Sequence, residues 1–339
     1  MANADQERAL KTVAVTGASG HIGGNLVRAL LDQGRRVRAL LHDGKGLLGD
    51  ADVEWIEGDV RDKDSLRRAF EGADVLYHLA AVISIDGDQG GLVPAVNVEG
   101  AGNAASAACE CGIKRMVHFS SVHGFNQEPK DQPLNETRDR ATGAHHNAYD
   151  RSKAGGEAQV RKAMEEGLEC VIVHPTGVIG PLDERPSRMG QVFLDLYHRR
   201  MPALVAGGFD WVDVRDVVAG AMAAEVKGRS GENYLLSGSY RSVKEIAELA
   251  ERVTGKKPPA FTSPMWLARF GAPFQSTFDK MRGRRPLFTG ESLEALRANK
   301  VISHEKAAKE LGYAPRPIEE SVKDIYAWFE ERGMLEVDS

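Results

Sequence analysis

The first half of the chain alternates short apolar runs with stretches whose apolar residues recur at helical spacing. Thr12-Val-Ala-Val-Thr16 is β-branched and reads as a buried strand. Gly17-Ala-Ser-Gly20-His-Ile-Gly23 follows at once, and Ile22, Leu26, Val27, Leu30 and Leu31 then mark one face of a helix that Gly34 stops. In that order, the glycines permit a tight turn and close backbone approach, and the helix N-terminus offers free N–H groups to a pyrophosphate. The alternation predicts further strands at Val37–Leu41, Val53–Ile56, Val75–Leu79, Met116–Phe119 and Cys170–His174, with helices over Lys63–Glu71, Leu92–Glu110 and His146–Glu166. Such a βαβ series builds an α/β fold with a doubly wound parallel sheet of the Rossmann kind.

The pattern changes after His174. Gly180-Pro-Leu-Asp-Glu-Arg-Pro186 is loop-like, and Trp211-Val-Asp-Val-Arg-Asp216 reads as a return toward the sheet before a helix to about Val226. The rest is mainly helical with Pro and Gly punctuation, closing on an amphipathic helix over Ile318–Arg332. The expected division is a dinucleotide-binding domain over residues 1–178, to which 209–237 return. A smaller, mostly helical substrate-binding portion over 179–208 and 238–334 would cover the carboxyl ends of the strands, where ligands of open sheets bind.

Composition narrows the class. At 339 residues, 42% hydrophobic and 27% charged, the chain can bury a large core. A net charge of −5 gives no electrostatic basis for binding nucleic acid or an anionic membrane. The sequence has no secretory signal pattern and no apolar run long enough to span a bilayer, and three cysteines do not make a disulfide framework. A cytoplasmic protein is the expectation. No His-x-x-x-His with a third ligand, and no other metal constellation, is present in the sequence.

Tyr149-Asp-Arg-Ser-Lys153 is the candidate for chemistry. A tyrosine and a lysine four apart on a helix share one face. A phenol ionises near pH ~10, and an adjacent ammonium pulls that pKa toward the working range, making a proton donor for a carbonyl or an acceptor for an alcohol. Tyr240-Arg-Ser-Val-Lys244 repeats the spacing, but Ser242-x-x-Glu245 reads as a capping box opening a helix over Val243–Val253. Tyr240 would then lie outside that helix, which makes the second copy a decoy.

With both motifs placed, the chain resembles the extended short-chain dehydrogenase/reductases. Thr16-Gly17-Ala-Ser19-Gly20-His21-Ile22-Gly23 is similar to that family's cofactor turn, and Gly58-Asp59-Val60 to its adenine-contacting segment. His78-Leu79-Ala80-Ala81 looks like the stretch lining the cofactor after the fourth strand. Asn97, in Val96-Asn-Val-Glu-Gly100, matches a helix asparagine that supports the active site. His118-Phe-Ser-Ser121 resembles the strand end carrying the catalytic serine, a role that falls on Ser121. His174-Pro175-Thr-Gly-Val178-Ile-Gly-Pro181 resembles the segment beside the nicotinamide carboxamide. The resemblance implies catalytic Ser121, Tyr149 and Lys153, with Lys153 also holding the nicotinamide ribose.

Cofactor choice is made after the second strand, where an acid binds a ribose 2′-OH and an arginine accommodates a 2′-phosphate. In Arg38-Ala-Leu-Leu-His42-Asp43, His42 stands where NADP-using relatives have arginine. Arg38 and Lys45 add positive charge, while Asp43 suits NAD, so the expectation is NADP ahead of NAD. Val37-Arg38-Ala39, His174-Pro175-Thr176 and Leu311-Gly-Tyr-Ala-Pro resemble the dihydroflavonol-reductase-like branch. Gly177 replaces an asparagine usual in nucleotide-sugar epimerases. The leading expectation is a reductase of a small or medium carbonyl, or the reverse alcohol oxidation, with a homodimer compatible. A nucleotide-sugar epimerase or dehydratase and a non-catalytic dinucleotide-binding regulator are the alternatives. The segments Gly124–Ala144, Pro181–Val205 and Ala260–Leu287 line the expected substrate region but carry no legible ligand pattern.

Overall fold

A computed structural model describes residues 12–270 and 289–336; the last part of the expected substrate segment Ala260–Leu287 lies outside them. Seven strands form the central sheet: β1 (Thr12–Thr16), β2 (Arg36–Leu41), β3 (Val53–Glu57), β4 (Val75–His78), β5 (Arg115–Phe119), β6 (Cys170–Pro175) and β10 (Asn233–Leu236). Their order is β10-β6-β5-β4-β1-β2-β3, and every pairing is parallel. Strand order reverses beside β1, which opens a crevice at the carboxyl ends of β1 and β4.

Side-chain alternation along each strand feeds two cores. Val13, Val15, Val37, Val75 and Val117 meet Leu26, Val27 and Leu30 of α1 (His21–Asp32) and Val217, Val218 and Ala221 of α6 (Val214–Lys227). On the opposite face Ala14, Leu76, Met116 and Ile172 meet Leu66 and Phe70 of α2 (Lys63–Phe70), Ala101 and Ala104 of α3 (Gly100–Glu110), and Val160 of α4 (Ala148–Glu165). Both faces are covered, which is why the strands read as near-continuous apolar runs. Leu26 is fully buried, so its truncation to alanine would cost roughly 2–5 kcal/mol.

The helix expected over Leu92–Glu110 contains a π-helical turn, Ala95–Glu99, ahead of α3. Close packing against α4 accompanies it: a Cβ on Gly156 would come 2.3 Å from the Asn97 carbonyl oxygen.

The second half differs from the sequence expectation in two respects. The Trp211 segment forms β9 (Gly208–Asp213), which does not rejoin the central sheet. It pairs parallel with β7 (Gly177–Ile179) and antiparallel with β11 (Ser239–Ser242) in a separate small sheet. The chain returns to the main sheet afterwards, through α6 and β10. A further two-stranded pair joins β8 (Leu204–Val205) and β12 (Thr262–Ser263), so strands are interleaved with the helices there. Its core packs Phe193 of α5 (Arg188–Tyr197), Trp211, Ile246 of α7 (Val243–Thr254), and Tyr326 and Phe329 of α10 (Ile318–Glu331). No helix among the described residues is long and apolar enough to cross a membrane.

Candidate active site

The glycine turn has three glycines with three different reasons. Gly17 has φ +73°, and a Cβ there would lie 2.7 Å from the Ala80 nitrogen. A Cβ on Gly23 would lie 2.1 Å from the Gly17 oxygen. Gly20 is exposed, has φ −79°, and its Cβ would meet only the Gly17 oxygen at 3.4 Å. The protein itself leaves space there. Gly20 provides no side-chain cap for α1, so that end can receive an anion, and the turn fits a dinucleotide pyrophosphate. Ser19 is exposed beside it, Ile22 packs on the core, and His21 donates through Nε2 to the Pro181 carbonyl at 3.0 Å. Asn25 donates to the same carbonyl at 3.2 Å, tying the segment after β7 to α1.

Leu79 and Ala80 cross the end of β1: their backbone nitrogens donate to the Thr16 carbonyl at 3.1 Å and the Thr16 hydroxyl at 3.3 Å. Ala81 is exposed beyond them. At the β2–β3 end, His42 Nε2 lies 3.2 Å from Asp59 Oδ2. Arg61 clasps the same carboxylate, and this hydrogen bonding holds the Asp59 pKa down to about 2 against the opposing effect of burial. Val60 turns into the core against Gly100.

Arg38 departs from the sequence expectation. Its guanidinium donates to Glu54 at 3.0 Å and to the carbonyls of Ala69 and Arg68, so it is committed to α2 and not to the corner around His42. A different arginine stands there. Arg185, from the loop after β7, lies 3.1 Å from the Asp43 carboxylate.

The catalytic candidates converge at the end of β5. Ser121 caps the 3₁₀ turn Val122–Gly124, its Oγ accepting from the His123 nitrogen at 3.2 Å. Asn147 caps α4, its side chain accepting from the Asp150 nitrogen at 2.8 Å, and this sets Tyr149 in the first turn. Burial raises the Tyr149 phenol to about 12, opposed by its hydrogen bond with Ser121. Lys153, one turn on, is 6% exposed and donates to the Phe119 carbonyl at 2.8 Å. Burial lowers its pKa to about 8, with the Glu157 charge opposing. The expected lowering of the phenol by the lysine is therefore not what this arrangement displays: Ser121 is the group that opposes burial, and the ammonium is turned to the strand end. Asn97 accepts from the Val82 nitrogen at 2.7 Å and donates to Ser152 at 2.9 Å, bracing α4.

Ser120 points the other way, donating to buried Glu157 at 2.5 Å. Glu157 also binds Arg140 at 2.7 Å and lies 3.6 Å from His174. His174 is fully buried and its Nδ1 donates to the Ser121 carbonyl at 3.1 Å. Its ring props the serine's backbone from below. Pro175 pairs with Leu236 in the sheet, and Val178 in β7 packs on the main core. His78 and His118 stack beneath, ring centroids 5.4 Å apart; burial and the Lys153 charge bring His78 down to about 3. The His145 and His146 rings touch at a tilt of 40°, ahead of α4.

Tyr240 lies on β11 and Lys244 on α7, separated by the Ser242–Glu245 capping box. Sequence reasoning missed Arg61, His123, Glu157 and Arg185. His123, two residues after Ser121, and Arg61, two after Asp59, carried a local signal. Among the described residues no cluster of three or more His, Cys, Asp or Glu is placed to hold a metal ion.

The chain belongs to the NAD dependent epimerase/dehydratase family, whose sequence profile matches residues 13–237. It is 38% identical over 330 residues to sterol demethylase protein B of Methylococcus capsulatus, covering 96% of this chain and 100% of that protein. It is 32% identical over 327 residues to a putative dihydroflavonol 4-reductase of Synechocystis, covering 95% of each. The crystal structure of gox2253 superposes with a TM-score of 0.83 at 32% identity, covering 96% of this chain and 99% of that one. PA4631, a nucleoside-diphosphate-sugar epimerase from Pseudomonas aeruginosa, shares the fold, with a TM-score of 0.76 at 21% identity and coverage of 96% and 99%.

Proposed function

We propose that the protein is an NADP-preferring oxidoreductase that interconverts a small or medium carbonyl compound and its alcohol. The meeting of Ser121, at the end of β5, with Tyr149, in the first turn of α4, carries this reading. A substrate oxygen set against both hydroxyls would receive a hydrogen bond from Ser121 as charge develops and a proton from Tyr149. Nicotinamide, when bound, supplies or accepts the hydride. Asn97 and His174 hold the two hydroxyl-bearing segments in place. The names of the two relatives, a sterol demethylase protein and a dihydroflavonol reductase, point to ring-bearing alcohols and ketones as the substrates to try first.

Gly177 weighs against a nucleotide-sugar epimerase. A Cβ at that position would come 2.8 Å from the Asp210 carbonyl oxygen, so an amide side chain has no room to grow from the backbone there. The NADP preference is supported by charge. Arg185 neutralises Asp43, the acid that would repel a 2′-phosphate.

Mixing the protein with NADPH or NADH and a panel of cyclic and aromatic carbonyls, and following the reduced cofactor, tests the reading. Net consumption with NADPH ahead supports it. A firmly bound cofactor that no carbonyl consumes would transfer the protein to the epimerase class.

A further inference from the structure

His123 occupies the middle of the 3₁₀ turn that Ser121 opens, and it meets the start of α4 at two points. Its ring lies edge-on to the Tyr149 ring, with centroids 5.8 Å apart and an interplanar angle of 63°. Its Nδ1 lies 3.1 Å from Oδ1 of Asp150, the residue next to Tyr149. Both atoms are inaccessible to solvent, and neither has an aligned hydrogen-bond partner among the described residues. At that distance the two form an ion pair when the ring is protonated. The main-chain nitrogen of His123 meanwhile occupies Ser121 Oγ as an acceptor, leaving the serine proton free to point at the phenol or a substrate.

We propose that His123, charged against Asp150, is a positioning residue that fixes the Tyr149 phenol and supports negative charge on it during proton transfer, so that turnover falls when His123 becomes neutral.

The surroundings leave this role open to His123. The Lys153 ammonium is turned to the Phe119 carbonyl. On the β6 side of the turn stand His174 and Glu157, with Arg140 beyond; His174 is held toward its neutral form by burial. Beyond Asp150 stand His146 and Glu291, with Arg151 acting on both. Asp150 is the acid in ion-pair contact with His123. Burial works against a charge on His123, yet contact with Asp150 outweighs it and the His123 pKa is raised. The Asp150 charge raises the Tyr149 pKa, and an imidazolium between them offsets that charge and favours the phenolate.

The role rests on the oxidoreductase reading only where turnover is measured, and spectroscopy tests the coupling separately. Tyrosine labelled with carbon-13 at Cζ, with Tyr149 assigned by its loss in Tyr149→Phe, reports on the phenol's environment as pH is raised through neutrality. The Tyr149 resonance should step at the pH where the His123 ring titrates, above the ordinary ~6.5. The step should vanish in His123→Gln and move to lower pH in Asp150→Asn, which also serves if the glutamine variant does not fold. A Tyr149 resonance unmoved by His123 titration, or a step that survives in His123→Gln, overturns the proposal. With NADPH and a carbonyl that is consumed, wild-type turnover should fall on the alkaline side with the same midpoint. His123→Gln should lose that limb and run about tenfold slower, less than the ~10²-fold or more for losing a general acid. Coupling without consumption of any carbonyl would overturn the oxidoreductase reading and leave the His123 pair standing.

Discussion

Lys153 donates a hydrogen bond to the Phe119 main-chain carbonyl at 2.8 Å, two residues before Ser121. The ammonium is buried against a neutral acceptor, and its pKa drops from 10.5 to about 8. Below pH 8 the folded protein therefore holds a costly charge. Between about 8 and 10.5 the unfolded chain binds more protons than the folded one, so stability rises with pH in that window.

Lys153→Met should remove that rise. At pH 7 the variant should be more stable by on the order of 2 kcal/mol, since one pKa unit is worth about 1.4 kcal/mol and the hydrogen bond to Phe119 is lost. It should also lose turnover and cofactor affinity, the latter because the resemblance gives this ammonium the nicotinamide ribose. Urea denaturation at pH 7 and 9.5 measures the first part and cofactor titration the second. A variant less stable than wild type at pH 7 contradicts the account of a strained lysine.

The three glycines of the cofactor turn separate folding from binding. Gly23→Ala should unfold or severely destabilise the protein, because its Cβ would overlap the Gly17 oxygen. Gly20→Ala has room and an ordinary φ, so its stability should stay within about 1 kcal/mol of wild type. Its affinity for NADPH should fall at least about tenfold, ~1.4 kcal/mol, because the methyl group fills the space left for the pyrophosphate. Thermal melts and fluorescence titration read the two effects. Unchanged affinity in a folded Gly20→Ala would place the dinucleotide elsewhere.

Much of this was legible in the sequence, and the reason is local. The strands β1, β4 and β6 carry near-continuous apolar runs because both sheet faces are buried, and the Gly17–Gly23 turn is fixed by contacts within a few residues and with Ala80. The misreadings come from contacts distant in sequence. Nothing near Arg38 tells that Glu54 and the carbonyls of α2 hold it, or that Asp43 is met instead by Arg185, 142 residues beyond that acid. Nor does the His174 motif tell that its ring bonds the Ser121 carbonyl, 53 residues earlier. β9 has the pattern of a sheet strand and is one, but its partners β7 and β11 draw it into a different sheet.

Glu157 tests whether the network beneath Ser121 is structural. It is 1% exposed and joins Ser120, Arg140 and His174. Glu157→Leu should destabilise the protein by about 3 kcal/mol, the lower end for breaking a buried pair, because Arg140 is partly exposed and can recover some solvation. Chemical denaturation measures it. A loss under about 1 kcal/mol would mean that the network adds little.

Arg185 tests the cofactor preference. As an exposed ion pair, Arg185–Asp43 is worth at most about 1 kcal/mol to stability, so Arg185→Ala should melt like wild type. Its effect should be on NADPH, whose affinity should fall roughly tenfold as Asp43 is left facing the 2′-phosphate, while NADH binding barely changes. Adding Asp43→Ala should restore most of the loss. Equal losses for both cofactors would reduce Arg185 to a tether of its loop.

The account turns on Tyr149 as the proton donor. The most direct measurement is the turnover number of Tyr149→Phe, with NADPH and a carbonyl that wild type consumes, beside that of Tyr240→Phe. Tyr149→Phe should be slower by at least ~10²-fold with nearly intact cofactor affinity, and Tyr240→Phe should match wild type. Comparable turnover in the two variants would contradict the assignment of the reaction to the site formed by Ser121 and Tyr149.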